Sequence, residues 1–289
     1  MNILTEFLFL AAYLIFPDNS NIFSQYAPYV AQNGNGYTML SCRNSYEGHY
    51  ADRLWRADSD DGYVWSEPTM VLAGGVSETD PDFLTCAGAF YIGEDGWHLY
   101  YLASTATGDS LALRYATSAD GWTWEKHGVV YSGGWIDSPS IVREENSYYL
   151  YLNRNRKLVR FQLDGEVLSS PVDCVASTAV HSTVTRYNDK YYYVYAYAAG
   201  MEPPIAVAGA VSDDPLVFTG YSPILGPELN YSHVWTPYGL FINGKYVLYF
   251  ASNTTWSLWW GQDSIIRARV YDVGETWYSH QYYVPYIVN

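Results

Sequence analysis

One phrase returns along this chain, and it restricts the possible folds more than any compositional figure does. Ala57-Asp58-Ser59-Asp60-Asp61-Gly62-Tyr63-Val64-Trp65 recurs as Ala116-Thr117-Ser118-Ala119-Asp120-Gly121-Trp122-Thr123-Trp124, and in weakened form as Ala210-Val211-Ser212-Asp213-Asp214-Pro215-Leu216-Val217-Phe218. The shared frame is Ala-x-Ser-x-Asp-Gly-x-x-aromatic, with fainter echoes at Leu163-Asp164-Gly165 and at Asp272-Val273-Gly274-Glu275-Thr276-Trp277. A second pattern precedes each copy. A segment opens on proline or a small polar residue, at Ala27-Pro28, Asp80-Pro81, Ser138-Pro139, Ser182-Thr183 and Thr236-Pro237, and a turn and a tyrosine-rich run come after it. The units number five at roughly fifty residues each, within the period range of propeller blades.

The chemistry of one unit supports that reading. Tyr, Val, Ile and Trp dominate the runs and suit a pleated, half-buried surface. Asn33-Gly34-Asn35-Gly36, Glu94-Asp95-Gly96 and Asn243-Gly244 punctuate them. Gly and Asn tolerate the positive φ of hairpin turns. The Asp-Gly of the repeated phrase is expected to turn the third strand of a unit into the fourth, the Asp accepting turn amides and the aromatic packing between sheets. Asp61, Asp120 and Asp214 are therefore read as scaffold. The expected architecture is all-β: a five-bladed β-propeller over residues 26–289, four antiparallel strands per blade, opening near residues 26, 79, 137, 181 and 235 with almost no helix.

Composition narrows the partners. The 289 residues carry a formal net charge of −15 and, on this reading, no basic cluster, which argues against nucleic acid and membrane as partners. Aromatic residues make up 18% of the chain, 31 of them Tyr, so a neutral sugar, bound through aromatic faces and hydrogen bonds, stays open. The three cysteines Cys42, Cys86 and Cys174 show no metal spacing, and Cys86 and Cys174 read by default as free buried thiols, with a disulfide as the alternative. Residues 3–16 are mostly apolar, interrupted by Glu6, and too few to span a bilayer. No basic residue precedes them and no small-x-small site comes after, so residues 1–25 are expected to dock on the propeller or a partner protein rather than to act as a signal peptide.

The segment openings resemble those of the five-bladed glycoside hydrolases, families 43, 32, 68 and 62. Thr79-Asp80-Pro81-Asp82-Phe83 resembles the Asp-Pro opening of a blade in that superfamily, and Asp137-Ser138-Pro139-Ser140-Ile141 resembles its Glu-Gly-Pro opening with Asp in the Glu position. Val180-His181-Ser182-Thr183-Val184 resembles the His-Asn-Ser opening, and Tyr26-Ala27-Pro28-Tyr29 the Trp-Ala-Pro-Asp opening, of the arabinanase and xylosidase branch. The resemblance spans about residues 26 to 270.

The resemblance implies a pocket at the channel end where the innermost strands begin. Glycoside hydrolysis needs two carboxyl groups flanking the scissile bond. By the same resemblance Asp137 is the general acid, and Asp80 tunes that acid or stabilises the transition state. His181 would hold a water or a calcium ion at the pocket floor; no other cofactor or metal is implied. The openings at Ala27, Ser182 and Thr236 offer no carboxylate base, and Asp82, Glu78, Glu202 and Glu228 are the nearby substitutes. Trp135, Trp235, His233, Asp82 and Trp259 are candidate sugar-binding residues; Trp259 belongs to a cluster with Trp256 and Trp260 that either covers the N-terminal segment or stacks on sugar.

Two function classes stand. One is a glycosidase acting on a poly- or oligosaccharide, with pentose or fructose linkages implied by the resemblance. The other is a glycan-binding propeller without catalysis, such as an adhesin on a cell or virion surface. Either fits an extracellular or surface-associated, virion-associated included, location. A sialidase is disfavoured, because no arginines stand at the segment openings to grip a sialate carboxylate.

Overall fold

The structure is a computed structural model that describes residues 13–14, 22–45, 52–179, 181–197, 206–220, 222–225, 234–252 and 264–270. Two residues, β1 (Tyr13–Leu14), precede the first complete sheet. That sheet runs β2 (Ile22–Asn33), β3 (Gly36–Ser45), β4 (Arg53–Ser59) and β5 (Thr69–Leu72). The second runs β6 (Leu84–Gly93), β7 (Gly96–Ser104), β8 (Ala112–Ser118) and β9 (Glu125–Tyr131). The third contains β10 (Ile136–Glu144), β11 (Ser147–Arg154) and β12 (Lys157–Asp164). Two short strands, β13 (Val167–Leu168) and β14 (Val172–Asp173), share its outer position by both pairing with β12. The fourth is β15 (His181–Tyr187), β16 (Lys190–Tyr197), β17 (Ala206–Ser212) and β18 (Ser222–Leu225). The fifth is β19 (Val234–Ile242), β20 (Lys245–Ser252) and β21 (Ser264–Val270), with β1 antiparallel to β21 as its outer strand.

Every sheet is antiparallel, and no helix occurs among the described residues. The first strands form a ring: β2 touches β6, β6 touches β10, β10 touches β15, β15 touches β19, and β19 touches β2. The chain is thus an all-β propeller.

The tyrosine-rich runs now have a physical reason. β7, β16 and β20 are middle strands covered on both faces by neighbouring sheets, so almost every residue along them is buried. The outer strand β9, by contrast, is mostly exposed.

The repeated phrase is a turn, as its chemistry implied. Asp61 Oδ1 accepts from the amides of Tyr63 and Val64, and Ser59 Oγ accepts from that of Gly62. Asp120, Ser118, Trp122, Thr123 and Gly121 repeat the arrangement. These backbone donors hold both carboxyls below the usual carboxylate range. Gly62 and Gly121 both take φ +73°, a left-handed geometry that disfavours a side chain. The terminal aromatic packs on other rings: Trp65 meets Tyr249 of the fifth sheet edge-on at 6.0 Å, Phe218 lies 6.4 Å from Tyr151 of the third, and Trp124 meets Trp97 of its own sheet at 6.5 Å.

The same turns clasp the ring. Tyr249 Oη of the fifth sheet donates to the Gly62 carbonyl of the first at 2.6 Å, Tyr100 of the second to Gly165 of the third at 2.6 Å, and Tyr151 of the third to Pro215 of the fourth at 2.9 Å. Between the first and second sheets Arg56 takes this part, donating to the Asp120 carbonyl at 3.0 Å while lying over Trp97 and Trp122.

Two expectations need correction. The second inner strand opens at Leu84, not near residue 79. Its counterpart of Ala27-Pro28 is Ala87-Gly88, where Ala87 has the same left-handed φ and the pairing shifts in the same way, but no proline marks the place. Cys86 is bonded to Cys42 across the first and second sheets rather than free; Cys174 is a free, partly buried thiol whose pKa burial raises to about 12.

Candidate functional site

Four of the five inner strands carry a bulge close to their start. Ladder pairing shifts between Tyr26 and Tyr29, Cys86 and Gly88, Asp137 and Ser140, and Trp235 and Tyr238. The bulged residues Ala27, Ala87, Ser138 and Thr236 have φ between 45° and 51°. Left-handed non-glycine residues cost of order 1–3 kcal/mol each, and bulges re-aim side chains beside functional sites. Prolines 28, 139 and 237 fit here because a bulge leaves an amide outside the ladder. The fourth inner strand pairs regularly from His181 onward.

Two tiers result. Small residues fill the lower one, and Ala27, Pro28, Tyr29, Ala87, Gly88, Ser138, Pro139, Thr183 and Thr236 line one narrow cleft. Hydrogen bonds lock neighbouring strands here: Ala27 N donates to Thr236 Oγ1, Thr183 Oγ1 to the Pro237 carbonyl, and Val184 N to Ser140 Oγ. The upper tier, one residue before the bulged residue on four strands and two before Thr183 on the fourth inner strand, reads Tyr26, Cys86, Asp137, His181 and Trp235. Asp137 is its one carboxylate.

The Asp137 carboxyl is 10% exposed and held from two sides. Oδ1 accepts from Asn153 Nδ2 at 2.9 Å, and Oδ2 accepts from Trp135 Nε1 at 3.1 Å. Asn153 Oδ1 in turn accepts from Ser182 Oγ at 2.9 Å, which ties the third sheet to the fourth. His181 Nδ1 stands 3.7 Å from Asp137 Oδ2 and 3.5 Å from Ser138 Oγ, and its ring lies 5.1 Å from that of Trp235. His181 Nε2 is buried and has no hydrogen-bond partner among the described residues. Trp135 is 62% exposed. The structure therefore brings together Asp137, His181, Trp135 and Trp235.

Asp80 and Asp82 are placed differently. Asp80 lies in the turn ahead of β6, where its Oδ2 accepts from the Ser77 amide at 2.9 Å and its carbonyl from the Phe83 amide at 3.0 Å. An Asp side chain closing its own turn is a common local motif. Asp82 pairs with Lys126 of the outer strand β9 at 2.6 Å. His233 and Trp259 lie outside the described residues, as do Glu202 and Glu228.

Sequence reasoning missed Asn153 and Asp52. Asn153 faces Asp137 directly in the β10–β11 register, a relation visible only once the hairpin around residues 145–146 is fixed. Asp52 Oδ2 accepts from Tyr26 Oη at 2.5 Å, which sets a second carboxylate against an upper-tier residue. No group of three or more His, Cys, Asp or Glu side chains suited to a metal ion occurs among the described residues.

No protein-family model matches the chain, and a search of curated proteins found no match. Solved structures share its fold. An exo-1,5-alpha-L-arabinanase from a bovine ruminal metagenomic library superposes with a TM-score of 0.67 at 14% identity, covering 91% of this chain and 98% of its own. A thermostable family-43 glycoside hydrolase gives 0.67 at 16% identity, covering 93% and 98%. The GH43_1 enzyme from Xanthomonas citri complexed with xylose gives 0.71 at 12% identity, covering 94% and 93%. The fold is that of the family-43 glycoside hydrolase propellers.

Proposed function

We propose that this chain is a carbohydrate-active propeller, a glycoside hydrolase that takes a poly- or oligosaccharide at the channel mouth with Asp137 as general acid. The observation that carries the reading is the Asp137 site: a buried carboxyl at the channel end, oriented by Asn153 and Trp135 and faced by His181. A general acid must be held within reach of the oxygen it protonates, and two donors on one carboxyl restrict its rotation. The arabinanase, family-43 and xylose-bound structures that share the fold support a saccharide as substrate.

Hydrolysis also needs a second carboxyl across the scissile bond. Asp80 and Asp52 both lie on connections at the end where the inner strands begin. Asp52 is hydrogen-bonded to the ring residue Tyr26, Asp80 to its own turn. In this reading Asp80 acts at most on the acid's surroundings. A second reading, saccharide binding without hydrolysis, is favoured by a specific observation: Tyr26, Cys86, His181 and Trp235 fill the other upper-tier positions, and none is a carboxylate.

Four further points belong to the proposal. The ring of five sheets is read as five blades. Tyr13–Leu14 extends the fifth sheet, which supports docking of the N-terminal segment on the propeller, while residues 1–12 and 15–21 lie outside the described residues. The Cys42–Cys86 bridge suits an oxidising, extracellular or surface location. The unpartnered His181 Nε2 suits a water, whether free or bound to a calcium ion, or a sugar hydroxyl.

The test is a screen of arabinan, xylan and fructan for both released sugar and binding. Asp137→Asn should abolish release and leave binding nearly intact, because the amide keeps the shape and loses the proton. Asp80→Asn should lower the rate less. Release that survives Asp137→Asn moves the acid elsewhere; binding without release in the native protein selects the second reading.

A further inference from the structure

The channel mouth has a charge asymmetry that the net charge of −15 hides. The turn joining β11 to β12 reads Arg154-Asn155-Arg156-Lys157, three cations in four residues, although the chain holds only 15 Lys and Arg in all. This turn lies at the end of the sheet where β10 begins, since Arg154 is paired with Ile136.

The turn is built around Trp135. Asn155 N donates to the Trp135 carbonyl at 2.8 Å, and Trp135 N donates to Asn155 Oδ1 at 3.0 Å. Gly134, at φ +73°, leaves room for the Asn155 amide, which would lie 2.6 Å from any β-carbon added there. The exposed indole that donates to Asp137 and the basic turn are thus one rigid unit.

The backbone of the turn is unusual for its residues. Asn155 and Arg156 have φ of 51° and 65°, the pair of left-handed residues of a hairpin turn whose second position favours glycine. An Asn-Gly pair does the same job without strain, as the Asn243-Gly244 turn of this chain illustrates with φ of 50° and 74°. Asn188-Asp189 takes the same pair of left-handed angles, φ 48° and 61°, so the turn accepts a side chain at its second position, and at 156 that side chain is a cation. Arg154 is committed to Asp173 at 2.8 Å and to Tyr131 Oη. Arg156 and Lys157 are exposed and have no ion-pair partner among the described residues.

We propose that the Trp135 turn is a subsite for an acidic sugar: the indole face carries a pyranose ring, and Arg156 with Lys157 receives the carboxylate of a uronate unit. Arginine meets carboxylates with two parallel donors, and a charge-assisted pair is stronger than a neutral one. A strongly acidic protein otherwise repels a polyuronate, which makes a local basic turn at its mouth necessary for that substrate class. The inference rests on the carbohydrate reading above and specifies its ligand.

The experiment is titration of the intact protein with an oligogalacturonide and with its carboxyl-reduced, neutral counterpart, at low and at physiological salt. The acidic probe should bind about fivefold tighter at low salt, the order expected of partly exposed charge pairs, and the preference should shrink as salt screens it. In an Arg156→Gln, Lys157→Gln double variant the ratio should fall to about one or below, as the acidic remainder of the protein repels the probe. Equal or weaker binding of the acidic probe overturns the inference and leaves the carbohydrate reading standing, as does a preference that survives the double variant. Binding of neither probe, with arabinan or xylan still bound, also overturns it. Failure to bind any saccharide removes both readings.

Discussion

Tyr249→Phe tests whether the repeated turns fasten the ring. Tyr249 is fully buried, and its hydroxyl donates to the Gly62 carbonyl at 2.6 Å, joining the last sheet to the first. Phenylalanine keeps the ring and its edge contact with Trp65 at 6.0 Å, so no sizeable cavity opens. The loss is one donor to a buried carbonyl, which costs about 1–3 kcal/mol when the acceptor is left unmade. With 289 residues and an unfolding entropy of about 2.1 cal/mol/K per residue, each kcal/mol shifts Tm by about 1.6 °C. The expected fall is about 2–5 °C by differential scanning calorimetry. Tyr100→Phe and Tyr151→Phe remove the corresponding bonds to Gly165 and Pro215 and should cost similar amounts. The three sites share no partner, so their effects should add within about 0.5 kcal/mol. A Tyr249→Phe protein whose Tm stays within about 0.5 °C of the native value refutes the clasp as a source of stability.

Reducing the Cys42–Cys86 bridge frees a loop closed over a sequence separation of 44 residues, for which chain entropy gives a ceiling of about 4 kcal/mol. Tm should drop by up to about 6 °C in reductant, and an unchanged Tm would mean that the two thiols are not joined. Asp61 and Asp120 have folded pKa values below the ordinary 3.8, chiefly through backbone amides. Their stabilisation is therefore complete above that value and lost as pH falls through the lowered folded values. Asp61→Asn should flatten the acid limb of a Tm-against-pH curve below about pH 4, judged against that carboxylate reference; an unaltered limb would contradict the turn assignment.

The openings of four inner strands were legible because their chemistry is local. Ala27-Pro28, Ser138-Pro139 and Thr236-Pro237 announce a bulge through proline, and His181-Ser182 keeps the same place in its repeat. The second opening was not legible. Asp80-Pro81 is a turn that has the look of an opening, whereas Cys86-Ala87-Gly88 is an opening without proline. Asp137 and His181 could be singled out in advance, since each starts an inner strand. Asn153, Ser182 and Asp52 could not, because their roles depend on which residue stands opposite or on the next sheet.

The sequence by itself determined the repeat, the turn chemistry of Ser59-x-Asp61-Gly62 and its copies, and hence an all-β propeller. Such signals need only residues within a few positions of one another. Tertiary structure alone decided which residues form the upper tier. Ring closure brings Tyr26, Cys86, Asp137, His181 and Trp235 to one end, from five sheets separated by some fifty residues each. It also decided that Cys86 is bonded to Cys42, and that a three-cation turn stands against Trp135. Contacts across a ring depend on where every sheet lies relative to its neighbours, and no local pattern encodes that.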